Sequence, residues 1–141
     1  MMSRATLCLF FVIATSGLVC ADDATKFSDD QITFFKTEVV ELLTDNCLKC
    51  HAGESPKGEL DLTTREGILK GGESGTAVDL KNHAESILLT AINYDSFEMP
   101  PTGQMSPKQI KTLTSWVRMG LPWPTDLHEI GFEMEARSEE R

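Results

Sequence analysis

The chain has 141 residues, 13 basic and 22 acidic side chains and a net charge of −9 at pH 7, which excludes nucleic acid as a natural partner. Its length and its 40% hydrophobic content allow one compact domain with a modest core.

Arg4 gives a short basic start, Leu7 to Ile13 is an apolar run, and Ala14 to Ala21 is small and apolar, ending in Val19-Cys20-Ala21. This pattern predicts a secretory signal peptide over residues 1–21, cleaved after Ala21. The apolar run is too short to span a bilayer with polar flanks, and nothing later is longer. The expected product is exported to the periplasm or another extracytoplasmic space and is soluble. Bulky Val19 argues against a lipid anchor on Cys20. Cleavage removes Arg4 and no acidic residue, so −9 becomes −10, and it takes Cys8 and Cys20 with it. Only Cys47 and Cys50 are left, too few and too close for a disulfide framework.

Ser28 and Gln31 form a capping box, with Phe27 and Ile32 as its hydrophobic staple. Ile32, Phe35, Val39, Leu42 and Leu43 then recur at helical spacing, predicting a helix from about Asp29 to about Cys47 whose apolar stripe is ordinary core. At its end stands Cys47-Leu48-Lys49-Cys50-His51, the Cys-x-x-Cys-His signature of covalent haem attachment. Two thiols three residues apart reach neighbouring vinyl groups on one porphyrin edge, and His51 follows as the proximal ligand. A redox dithiol would instead place the first thiol at a helix N-terminus. Structural zinc would need two further ligands.

Ala52 to Gly58 reads as a loop, and Leu60 and Leu62 alternate with Glu59 and Asp61 as an extended, half-buried piece. Thr63 and Glu66 offer a capping box for a short helix through Leu69 that Gly71-Gly72 stops. The glycines at 71, 72 and 75 lack the preceding strand and following Gly-Lys-Ser/Thr of a phosphate loop. Another short amphipathic helix starts near Asn82 and carries Ile87, Leu88, Ala91 and Ile92. Tyr94 to Pro101 is non-helical, with Met99 directly before two prolines. A thioether held there is a possible sixth iron ligand, with Met105, His83 and His128 as rivals on chemistry alone. Ser106-Pro107-Lys108-Gln109 caps a final helix whose buried stripe is Ile110, Leu113, Trp116 and Val117, with Met105 as its staple and Gly120 and Pro122 ending it. Residues 125–141 form an acidic tail, expected to be mobile or loosely docked. Arg65, Tyr94 and Trp116 are further candidates to contact the haem or its propionates.

From Phe35 to Pro124 these residues resemble the planctomycete-type cytochrome c domain. The resemblance is carried by Phe-x3-Val-x2-Leu-Leu-x3-Cys-x2-Cys-His, Gly58-Glu59-Leu60-Asp61-Leu62, Lys70-Gly71-Gly72-Glu73-Ser74-Gly75, Ser86-Ile87-Leu88, Met99-Pro100-Pro101 and Trp116-Val117-x2-Gly120-Leu121-Pro122-Trp123-Pro124. It implies an all-α, class I cytochrome c fold over residues 27–124, with N- and C-terminal helices crossing around one covalent haem c. It also implies that Cys47 and Cys50 attach the haem, that His51 is the proximal ligand and that Met99 is the distal one. The expected function is one-electron transfer rather than catalysis, to a redox partner protein with a basic docking surface. The alternative is a haem enzyme or ligand sensor of peroxidase-like kind, which needs an openable distal position.

Overall fold

A computed structural model describes residues 27–127 and Ile130. The predicted leader, His128 and most of the acidic tail lie outside the described residues.

The first helix starts where the capping box places it. In α1, Asp29–Phe34, Ser28 Oγ accepts from Gln31 N and the Gln31 side chain accepts from Ser28 N. The helical path then continues without a break through a π segment, Phe35–Val39, a short α segment, α2, Val40–Leu43, and a second π segment, Thr44–Leu48. The first widening is marked by Val40 N donating to Phe35 O, five residues back. The apolar spacing accounts for it. Phe35, Val39 and Leu43 are 0% exposed and Cys47 packs against the same core, a series with a step of four throughout. At 3.6 residues per turn, each step of four would rotate the next side chain by about 40° off the core line. Turns that spend an extra residue cancel the drift and keep all four facing inward.

Two short helices follow. Thr64, not Thr63, caps α3, Arg65–Lys70, accepting from Gly67 N at 2.9 Å. Thr63 is instead buried, and its N and Oγ1 both donate to Asp61 Oδ1. The helix expected near Asn82 is a 3-10 turn at His83–Glu85 followed by α4, Ile87–Ile92, which buries Leu88, Leu89, Ala91 and Ile92. Among the described residues there is no strand, only an isolated bridge between Gly72 and Gly75, so the described part of the chain is helical, consistent with the all-α class.

The last helix, α5, Pro107–Arg118, has the second capping box, Ser106 with Gln109, and proline at its first position. It packs against the π segment Phe35–Val39, with Trp116 5.9 Å from Phe35 between ring centroids. Trp123 closes the aromatic group 4.6 Å from Phe35. The helix ends in a reciprocal pair of bonds, Gly120 N to Val117 O and Leu121 N to Trp116 O. That ending needs a left-handed residue at Gly120, whose φ is +87°. The carbonyls of Gly120 and Leu121 are then taken by Arg65, at 3.1 and 3.0 Å. Beyond Pro124, Leu127 and Ile130 are buried on the core, and Ile130 N donates to Thr63 O at 2.7 Å.

Candidate functional site

Cys47 lies in the second π segment, next to the end of the first helical run. Its carbonyl accepts from both Cys50 N (3.1 Å) and His51 N (3.0 Å), which folds the five-residue motif into one tight turn. The last two motif carbonyls are also occupied, Cys50 O by Lys57 N at 2.8 Å and His51 O by Leu62 N at 2.9 Å. The loop between them is tied down in turn by Glu73 N donating to Gly58 O at 2.8 Å. The carbonyls of the three functional residues, Cys47, Cys50 and His51, are thus all bonded.

That last tie depends on close approach. A Cβ placed on Gly72 would stand 2.2 Å from Gly58 O, so Gly72→Ala should push the two loops apart. Its expected cost is about 1–3 kcal/mol, read as a lower midpoint in denaturant unfolding with an unchanged slope.

Cys47, Cys50 and His51 are all half-buried. Burial pushes the Cys47 thiol up to about 11, so it stays protonated at neutral pH. A redox dithiol wants the reverse, a first thiol activated by a lowered pKa. Among the described residues no group of three or more His, Cys, Asp or Glu side chains is placed to hold a metal ion. His51 Nδ1 is a buried side-chain nitrogen with no hydrogen-bond partner. Such an atom is costly when left alone. The residues therefore fit a c-type haem: two thiols three apart for thioethers, and a neutral imidazole as an axial donor.

Met99 comes from the segment after α4. It is half-buried, its N–H donates to Ala91 O at 3.3 Å, and its peptide bond to Pro100 is cis. Met105 is buried in the core. His83 is half-buried in the 3-10 turn, and His128 is outside the described residues. All three side chains proposed from sequence for haem or propionate contact donate to backbone carbonyls, Tyr94 from its hydroxyl to Pro100 O at 2.6 Å. Arg65 uses Nε and Nη2 on the end of α5 and stacks its guanidinium 5.5 Å from the Phe27 ring centre. Trp116 is 0% exposed, and its indole N–H donates to Pro122 O at 3.0 Å. Sequence reasoning missed the bonds of Arg65 and Trp116 because their partners lie far along the chain or across the end of a helix.

A cysteine pair and a histidine are thus gathered at one helix end in a helical frame. Residues 47–103 match the family model Planctomycete cytochrome C, a stretch that runs from Cys47 past Met99, and the chain carries a planctomycete-type cytochrome c domain. Such a domain implies covalently bound haem c and suggests a haem-binding electron carrier. No curated protein and no solved structure matches the chain.

Proposed function

We propose that this chain is an exported monohaem cytochrome of class I fold that carries single electrons, with haem held by Cys47 and Cys50 and iron ligated by His51 and Met99. The observation that carries the reading is the Cys47–His51 turn, with the carbonyls of Cys47, Cys50 and His51 bonded and the histidine Nδ1 buried without a partner. The packing of α5 on Phe35–Val39 supports the crossing of terminal helices expected of class I.

Bound haem c supplies an Fe(III)/Fe(II) couple. His51 would hold the iron through a nitrogen donor acceptable to both states, and the soft Met99 sulfur would favour Fe(II), raise the potential and keep other ligands out. Export rests on the leader pattern at residues 1–21, and among the described residues no helix is long and apolar enough to cross a membrane. The partner's surface should be basic. Between Lys81 and Lys108 the chain carries Glu85, Asp95 and Glu98 and no lysine or arginine, so the segment that bears Met99 is negatively charged. Association should slow as salt screens it.

Redox titration followed by visible spectroscopy tests this reading directly. A reversible one-electron transition, with little carbon monoxide taken up by the reduced protein at neutral pH, is the expected result. Rapid and full carbon monoxide binding would replace the electron carrier with the haem enzyme or ligand sensor.

A further inference from the structure

Met99 is reached through a short loop that leaves α4 and returns to it. Tyr94 N and Met99 N both donate to Ala91 O, at 3.0 and 3.3 Å, so the entrance and exit of the loop meet at one carbonyl. Inside it, Asp95 N and Ser96 N donate to Thr90 O at 2.9 and 3.4 Å, and Thr90 Oγ1 lies 2.8 Å from Ser96 Oγ. Tyr94 itself has φ +64°, a left-handed conformation that bulky residues rarely adopt. Its hydroxyl donates to Pro100 O at 2.6 Å, one residue beyond Met99. Pro100 is buried, so that carbonyl has little water to turn to. Strained backbone of this kind persists where the surroundings hold it, and it concentrates where a ligand is clamped.

We propose that Tyr94 is a positioning residue: its phenol bolts the Met99–Pro100 segment to the loop and so keeps the Met99 thioether from being displaced. The inference rests on Met99 as the axial ligand. Sulfur is a poor match for Fe(III), and imidazole replaces it whenever its segment swings away. The apparent affinity for imidazole is the intrinsic affinity scaled by the fraction of molecules in that open state. Removing one hydrogen bond raises that fraction.

Imidazole titration of the oxidised holoprotein, followed through the far-red sulfur-to-iron band, reads the effect. Tyr94→Phe should bind imidazole about three- to tenfold more tightly than the wild type. Ser28→Ala, which removes the capping box of α1, should lower stability against unfolding and leave the imidazole affinity unchanged. Equal affinities for wild type and Tyr94→Phe, with the band present in both, overturn the role of Tyr94 and leave Met99 as ligand. A parallel tightening in Ser28→Ala also overturns it, since global stability would then account for the effect. Absence of the band from the wild type overturns both assignments. If Tyr94→Phe does not fold, amide exchange in the reduced wild-type protein decides the matter. The Met99 N–H should exchange more slowly than that of exposed Phe97, and equal rates sink the clamp.

Discussion

With Cys47 and Cys50 both changed to alanine, haem should extract into acid acetone, whereas the wild-type polypeptide should keep it through extraction and denaturing electrophoresis. Metal ligation by imidazole and apolar packing are reversible, and acid in general competes with iron for an imidazole ligand. Thioether bonds are indifferent to that treatment. The structure bears on how well each thiol is placed. Cys47 is the fourth member of the inward series Phe35, Val39, Leu43, Cys47, and Cys50 is fixed to it by its own amide on Cys47 O. Neither position is free to wander, which is what two simultaneous attachments require. Haem washing out of the wild type, or zinc copurifying in place of iron, would defeat the central assignment.

Met99→Ala should abolish the far-red sulfur-to-iron band, leave the oxidised protein high-spin or water-ligated, and lower the reduction potential. Met105→Ala should keep the band. The contrast follows from packing: Met105 is buried among the core residues, so truncating it removes core volume at a cost of about 2–5 kcal/mol. Met99 is half-buried on a segment outside the helices, and its truncation should cost less stability while changing the spectrum. Visible spectra and equilibrium unfolding of the two variants separate the roles. Loss of the band in the Met105 variant alone would reverse the assignment, and its absence from the wild type would direct attention to a histidine or an open position.

Local chemistry was legible in the sequence, and long-range partnership was not. The two capping boxes, Ser28 with Gln31 and Ser106 with Gln109, are satisfied within four residues, so spacing alone located both helix starts. Gly120 was readable for the same reason, since only a few residues around it define the helix ending. Arg65 was not. From its neighbours it is a basic residue near a helix start, free to meet a propionate, but its acceptors lie 55 and 56 positions away. Trp116 is similar: its indole finds Pro122 O only because the chain reverses after α5. The shift of the α3 cap from Thr63 to Thr64 reflects a competition that spacing does not rank, because Asp61 claims both Thr63 donors first. The π segments lie between these cases. Their signal, an unbroken step of four from Phe35 to Cys47, is visible in the sequence, but a search for 3.6-residue periodicity passes over it.

That step of four also makes the direction in which the haem motif points a matter of counting. Each π segment is a helix with one residue to spare, and the first surplus is stored upstream of the cysteines, among positions such as Lys36, Thr37 and Glu38 that face solvent. Deleting one of those exposed residues would remove no core contact by itself. It would let the turn relax to ordinary α geometry, so that three residues turning about 300° replace a four-residue step of one full turn, and swing everything after it, Cys47, Cys50 and His51 included, by about 60° around the helix axis. The exposed face of this helix thus sets the azimuth of a buried site through its length, independently of which side chains it bears.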